Sequence, residues 1–274
     1  MKLRTILDAA SMTPRQEANF FAALRLANGT FKTTADHRMD DLNEYILMRW
    51  RKTAFRPTKI MDVGVSSGIT SAEWVELLLR SGLPVRLTAT DLALWGDIVP
   101  LWPGVSVVEV GEHILQYRVF GVSLRPWRRR LDFVTGYAFV SALANIATTY
   151  RRSHIKHVPN PVLLVSPRAQ RHAAIKWAED DVFAQNPAQF IGRFDAIRAA
   201  NILNRDYFNE YQLRRAVANL KDRLAGPNAR LIANRTLRDG SNHATMFWLT
   251  EANCFEAEAR FGQGSEIEGT ILSA

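Results

Sequence analysis

The most regular pattern of apolar and polar positions begins at residue 59. A β-branched, apolar run from Lys59 ends at Gly64, and an amphipathic stretch from Ser71 to Ser81 follows it. This order predicts a buried strand, a tight glycine turn and a helix. Val85–Asp91 then alternates as a strand should and ends in a carboxylate. Together these segments predict the opening of a Rossmann-like domain, in which glycines permit a sharp turn and free N–H groups at the helix start favour electron-rich ligand groups.

Helical patterns precede this domain, and mixed patterns follow it. The first helix begins at Thr13-Pro14 and the second ends at Lys52, so we predict a helical extension at residues 1–58 and a main domain at residues 59–274. The extension is either a lid over bound ligands or a cover for one edge of a sheet. Later in the chain, a helical pattern ends at a Gly-Pro turn and three strand-like runs follow it: Ala229–Ala233, His243–Thr250 and Cys254–Phe261.

The glycine turn narrows the class of ligand. Dinucleotide-binding proteins use Gly-x-Gly-x-x-Gly, and the spacing of Gly64-Val65-Ser66-Ser67-Gly68 differs from it. An acidic residue, Asp62, followed by this glycine-rich turn resembles motif I of class I S-adenosylmethionine-dependent methyltransferases. The resemblance covers roughly residues 59–92 and 174–270.

This resemblance implies an α/β fold with a Rossmann-like, mostly parallel seven-stranded sheet, flanking helices and an antiparallel pair of strands at the end of the sheet. In the family, a short helix and a third strand follow the second strand directly. Here the pattern is interrupted, and we predict a large insertion at about residues 93–160. Val105–Val110 and Ile114–Phe120 predict a hairpin within it. The family pattern is expected to resume at Pro161–Ala169.

The resemblance also implies cofactor contacts at the first two strands. Asp62 would help to hold the methionine end of S-adenosylmethionine. Asp91 would accept hydrogen bonds from the ribose hydroxyls, unless it only caps the turn that follows it. The turn beside the methionine end includes Gly64, Ser66 and Gly68.

The resemblance implies further ligand contacts near the third and fourth strands of the sheet. An acidic residue after the third strand would hydrogen-bond the adenine amino group; Asp180 is favoured over Asp181, and a solvated acidic turn is the alternative. Arg198, on the fourth strand, suits an anion contact or a structural ion pair. No residue is assigned as a catalytic base. Four polar residues follow the fourth strand. Asn201 is a candidate cofactor contact, and Asn204, Arg205 and Tyr207 are candidate substrate contacts. Each could instead cap the next helix or hydrogen-bond the backbone.

A second feature of the insertion is the apolar run Leu131–Ala147, which is bracketed by arginines and aromatic residues. It is shorter than the roughly 20 residues that a transmembrane helix needs. Three interpretations stay open. The favoured one is a buried helix with solvated arginines at its ends, the second is peripheral membrane contact through residues 125–157, and the third is a nucleic-acid contact.

Net charge, cysteine content and the first residues indicate which surfaces the protein binds and in which compartment it lies. A formal net charge of +8 and a pI of about 9.9 indicate affinity for anionic surfaces. The single cysteine, Cys254, excludes an internal disulfide and is expected to be a small core residue. The first residues lack the apolar stretch of a signal peptide, which favours a cytoplasmic protein. His154 and His157 lack neighbouring carboxylate or thiolate ligands in sequence, so no metal site is predicted.

These observations favour an S-adenosylmethionine-dependent methyltransferase that acts on an unidentified small-molecule or lipid-like acceptor. The main alternative is a non-catalytic Rossmann-like binding protein whose basic surface engages membrane or nucleic acid. An NAD(P)-dependent oxidoreductase is compatible with Asp91, but the loop spacing opposes it. The pattern makes no prediction of oligomeric state.

Overall fold

The computed structural model of the chain describes residues 14–24, 32, 35–120, 122–126, 139, 142–143, 145–146, 148–150 and 161–274. The chain forms two compact units. The first unit takes residues 1–35 and 93–167, and the second takes residues 36–92 and 168–274.

The elements follow one another in this chain order: α1 Pro14–Ala22, α2 Asp40–Lys52, β1 Lys59–Val63, α3 Ile69–Arg80, β2 Arg86–Asp91, β3 Trp95–Trp102, β4 Val105–Val110, β5 His113–Val119, β6 Val122–Leu124, β7 Pro161–Leu163, α4 Pro167–Gln170, β8 Ile175–Glu179, β9 Ala196–Ala200, α5 Glu210–Arg223, β10 Arg230–Thr236, β11 Asn242–Leu249, β12 Phe255–Phe261 and α6 Glu268–Leu272.

The second unit is built on a seven-stranded sheet in the order β8-β2-β1-β9-β10-β11-β12. Strand β1 pairs in parallel with β2 and β9, and parallel pairing continues to β8 on one side and β10 on the other. Strands β11 and β12 are added by antiparallel pairing. The structure therefore confirms the predicted Rossmann-like, mostly parallel seven-stranded sheet and the antiparallel pair at its end.

The alternation of side chains along the central strands explains why both faces of this sheet are covered. Met61 and Val63 of β1 join Ile197 of β9 in the main apolar core, and α5 contributes Leu213 and Leu220 to the same core. The intervening residues point to the opposite face. There, α2 packs against α3, and the buried rings of Trp50 and Trp74 lie 6.0 Å apart.

The topology also shows where a ligand can bind in this unit. The chain runs from β1 outward to β2 and β8, and then returns to the other side of β1 with β9. In open α/β sheets, ligands bind beyond the carboxyl ends of the strands at such a reversal. The turn at Gly64–Gly68 follows β1 at this point.

The first unit contains a separate antiparallel sheet in the order β6-β5-β4-β3-β7. The predicted hairpin is confirmed, since β4 pairs with β5 across Gly111-Glu112. The expectation that the family pattern resumes at Pro161 was wrong. Strand β7 pairs with β3 inside this sheet, and the third strand of the main sheet is β8, which pairs with β2. An apolar run such as Pro161–Val165 fits either sheet, and only the pairing decides between them.

Three other predictions concern the N-terminal extension, Cys254 and the apolar run Leu131–Ala147. The predicted extension at residues 1–58 is divided, because α1 belongs to the first unit and α2 to the second. Cys254 is exposed rather than in the core, since it lies in the turn between β11 and β12. Most of Leu131–Ala147 lies outside the described residues. Among the residues that are described, no helix is long and apolar enough to cross a membrane.

Candidate functional site

The loop after β1 takes its shape from backbone conformations that glycine favours. Gly64 and Gly68 have φ values of 74° and 78°, and Ser66, with φ of 56°, adopts the same left-handed region without being glycine. A Cβ atom at Gly64 would lie 3.1 Å from the Ile202 side chain, so the loop passes close to the segment after β9. Within the described residues, no side chain caps the start of α3 at Gly68. The loop therefore leads into a helix N-terminus whose first N–H groups no described side chain caps.

Asp91, the predicted ribose ligand, lies beside this loop. It ends β2 in register with Glu179 of β8, and it is 7% exposed. Its Oδ2 atom accepts a hydrogen bond of 2.7 Å from the backbone N–H of Ser66. Asp91 thus holds the loop against the end of β2, which places the predicted ribose residue and the predicted glycine turn in one site.

Asp62 lies beneath the loop in a buried ion pair with Arg198. The guanidinium of Arg198 donates to both carboxylate oxygens, at 3.0 and 2.5 Å, and the hydroxyl of Ser71 donates to Oδ2 at 2.6 Å. The side chains are only 0% and 2% exposed. Arg198 also donates to Asn43 of α2 and lies 4.2 Å from the ring centroid of Trp74.

These contacts decide between the two interpretations of Arg198, which is a structural ion-pair partner. They also give Asp62 a supporting place under the loop. Its contact with the methionine end of a cofactor stays a prediction.

Asp180 is bound in a second buried ion pair. Arg223, at the end of α5, donates to its two carboxylate oxygens at 2.6 and 3.1 Å, and both side chains are almost fully buried. A solvated acidic turn does not describe a carboxylate that is 2% exposed. The adenine contact of Asp180 stays a prediction. Asp181 is exposed, and its Oδ1 atom accepts a hydrogen bond from the backbone N–H of Phe183. Asp181 therefore has the more accessible carboxylate at the end of β8.

Asn201 joins the ends of two neighbouring strands. Its φ is 60°, and its side-chain oxygen accepts a hydrogen bond of 2.6 Å from the backbone N–H of Thr236 at the end of β10. Its own backbone N–H donates to the carbonyl of Asn234 at 2.9 Å. Asn201 thus fixes the carboxyl end of β9 at the edge where the loop lies.

The substrate candidates differ in how far their side chains are already engaged. Asn204 is 6% exposed and accepts a hydrogen bond from the backbone N–H of Asp206. Arg205 forms an ion pair of 3.3 Å with Glu210. Tyr207 is 63% exposed. None of the three caps α5, because that helix has its own capping box at Asn209. Asn204 thus makes the backbone hydrogen bond that was one alternative for it. The substrate role of all three stays a prediction, and Tyr207 is the most accessible.

The structure adds three polar residues that the sequence analysis did not propose as site residues. Asn234 of β10 is 4% exposed, and neither amide atom has a hydrogen-bond partner among the described residues. The hydroxyl of Ser67, in the Gly64–Gly68 loop, is fully buried and also has no hydrogen-bond partner among the described residues. Buried polar groups are normally paired, so these atoms have unused capacity for a ligand or water. The sequence feature that could have identified Asn234 is its position as an asparagine inside the apolar run of β10.

Arg38 is the third of these residues, and its charge is poorly compensated. Burial and the like charge of Arg198 lower the pKa of Arg38, while Glu73 and Asp62 act in the opposite direction. Its buried Nε atom has no hydrogen-bond partner among the residues that the structure describes. Its backbone carbonyl is held by the amide of Asn242 at 2.8 Å, which fixes the start of α2 over β11. Burial also raises the pKa of Glu73.

In the described part of the chain, no group of three or more His, Cys, Asp or Glu side chains is arranged to hold a metal ion.

Comparisons with known proteins give only matches of low similarity. No family model matches the sequence, and no curated protein matches it either. Among solved structures, the N-methyltransferase NodS from Bradyrhizobium japonicum, in complex with S-adenosyl-L-homocysteine, is 14% identical with a TM-score of 0.37, and the match covers 79% of this chain and 72% of NodS. The amino pentose methyltransferase CalS10 from Micromonospora echinaspora is 13% identical with a TM-score of 0.35, over 77% of this chain and 63% of CalS10.

A third match is the CMeT domain of the citrinin polyketide synthase, at 16% identity and a TM-score of 0.33; it covers 65% of this chain, which spans 28% of that solved chain. Likeness at this level says nothing about the cofactor or activity of this chain. The strand order and the site geometry described above define the Rossmann-like class on their own.

Proposed function

We propose that the protein is an S-adenosylmethionine-dependent methyltransferase that acts on a small-molecule or lipid-like acceptor. The observation that carries this proposal is the Gly64–Gly68 loop at the reversal of strand order, with the Asp91 carboxylate bound to the N–H of Ser66. A carboxylate at the end of the second strand, beside a glycine turn and a helix N-terminus, suits an adenosyl ligand with a ribose.

The residues present fit this cofactor at several points. Asp91 would bind the ribose, the loop would accommodate the methionine part, and Asp181 would be the accessible carboxylate for the adenine amino group. The unused amide of Asn234 and hydroxyl of Ser67 add hydrogen-bonding groups. When bound, S-adenosylmethionine supplies an electrophilic methyl group.

The tasks of this chain are to align an acceptor with the cofactor and to exclude water. The end of β9, fixed by Asn201, is where the acceptor is expected to lie. A dedicated base is optional for such a transfer, and none is proposed.

The proposal is tested by calorimetric titration of the purified protein with S-adenosylmethionine and S-adenosylhomocysteine, with NAD as the control ligand. We expect saturable binding of the two sulfur ligands. Asp91→Asn should weaken it by about tenfold or more, because hydrogen bonds to a charged group contribute roughly 1.5–3 kcal/mol. Asparagine retains an oxygen that can accept from Ser66, so the loop should persist. The matched control is Asp239→Asn, at an exposed turn.

Two outcomes would contradict the proposal. Saturable binding of NAD alone would favour the oxidoreductase alternative. Folded protein that binds none of these ligands would favour the non-catalytic binding protein, for which the net charge of +8 is the supporting observation.

We further propose that Arg38 binds the carboxylate end of the same cofactor. An anion beside this partly buried guanidinium, whose Nε has no hydrogen-bond partner among the described residues, would offset the burial and the like charge of Arg198 that lower its pKa. Arg38→Met should therefore weaken S-adenosylhomocysteine binding by about tenfold or more, while the melting temperature of the ligand-free protein stays the same or rises.

The control ligand for this prediction is adenosine, which lacks the carboxylate. Its affinity should be equal in wild type and Arg38→Met. A variant that loses both ligands equally, or that melts much earlier without ligand, would show that Arg38 is structural.

A further inference from the structure

The first unit carries an apolar stripe on the outside of a helix. Residues 139, 142–143, 145–146 and 148–150 are helical. Four large apolar or aromatic residues among them are exposed by 48–69%: Phe139, Leu143, Ile146 and Tyr150. Their spacing of four, three and four residues places them within about 60° of one another around a helix of 3.6 residues per turn. We name these four residues the 139–150 stripe.

The opposite side of the same segment faces the protein. Thr148 is 1% exposed, and the side-chain oxygen of Asn145 accepts a hydrogen bond of 2.6 Å from the hydroxyl of Tyr117 on β5. Tyr117 itself is 2% exposed. The Asn145 side chain thus attaches the segment to the sheet, Thr148 is buried, and the four apolar side chains are exposed. This arrangement is the reverse of an ordinary surface helix, and an exposed apolar patch of this kind marks an interaction site.

The charge of the protein is concentrated in the same unit. Residues 1–35 and 93–167 contain 13 of the 35 basic residues and 6 of the 27 acidic residues, a net charge of +7. The second unit contains 22 basic and 21 acidic residues, a net charge of +1. In sequence, Arg151 and Arg152 follow Tyr150 directly, and Arg128–Arg130 precede the stripe.

We propose that the 139–150 stripe binds the surface of an anionic lipid bilayer. Apolar side chains bracketed in sequence by arginines suit the boundary between acyl chains and head groups. Each basic residue near an anionic leaflet contributes roughly 1 kcal/mol. A second copy of the chain fits less well, because pairing two stripes would bring two units of charge +7 together. Nucleic acid would engage the arginines but has no counterpart for four apolar side chains.

The test is co-sedimentation with vesicles of phosphatidylcholine alone and of phosphatidylcholine with 30% phosphatidylglycerol. Wild type should sediment with the anionic vesicles at least tenfold more strongly than with the neutral ones, and added salt should weaken the binding. Leu143→Glu/Ile146→Glu should lose at least tenfold in partitioning. Met48→Glu/Leu79→Glu, which changes two exposed apolar residues on helices of the second unit, should bind as wild type does.

Circular dichroism of each variant establishes that it is folded, and Phe139→Ser/Tyr150→Ser provides a second stripe variant. Vesicle binding that survives both stripe variants would overturn the proposal. So would a wild-type dimer in light scattering that the stripe variants convert to monomer, without vesicle binding. Binding to duplex DNA that exceeds vesicle binding and ignores the stripe variants would assign the basic unit to nucleic acid instead.

Discussion

Arg198→Met is expected to lower the free energy of unfolding by about 3–5 kcal/mol, because removing one member of a buried ion pair leaves the other charge uncompensated. Asp62 would remain 1% exposed, with Ser71 as its donor. Asn43 would also lose its hydrogen bond. Urea denaturation followed by tryptophan fluorescence suits the measurement, since Trp74 lies against Arg198.

The matched control is Arg168→Met, which removes an ion pair with Asp36 whose side chains are 42% and 37% exposed. Its cost should be no more than about 1 kcal/mol. The double variant Asp62→Leu/Arg198→Met should recover much of the lost stability, since it leaves no unpaired charge. Equal, small losses for Arg198→Met and Arg168→Met would show that the buried pair has no special role.

Asp180→Asn is expected to destabilise the protein by about 3 kcal/mol, because Arg223 would lose its buried counter-ion. Asp181→Asn should change stability by less than about 0.5 kcal/mol, as exposed substitutions usually do. If Asp181 is the adenine ligand, its variant should weaken S-adenosylhomocysteine binding about tenfold, as loss of one charged hydrogen bond predicts.

Calorimetry on the two folded variants separates these roles. Weaker ligand binding by Asp180→Asn at unchanged stability would instead favour Asp180 as the cofactor residue. The pair is well matched, because the two residues are neighbours in sequence and carry the same charge.

Local pattern was sufficient for much of the fold. The glycine turn, the strand that ends at Asp91 and the helix of α5 were predicted within a few residues, because each depends on periodicity and on turn residues that act over short distances. The expected pattern was also lost after Asp91, where the chain enters the first unit at residue 93. The place of Pro161–Leu163 was not readable, since an apolar strand does not encode which sheet it joins.

The ion pairs show where local pattern fails. Asp62 and Arg198 are 136 residues apart, and Asp180 and Arg223 are 43 apart. A carboxylate after a strand looks the same in sequence whether it faces a ligand or a buried guanidinium. The partner is chosen only when strands and helices pack. The sequence therefore placed these carboxylates at the carboxyl ends of strands without giving their partners.

The separation of Asp62 from Arg198 also has a consequence for synthesis on the ribosome. Strand β1 emerges long before β9, and the five strands β3–β7 of the first unit emerge between them. The support beneath the glycine loop cannot form until β9 has docked beside β1. The sheet of β3–β7 can therefore form during translation, whereas the candidate site must wait for the last third of the chain.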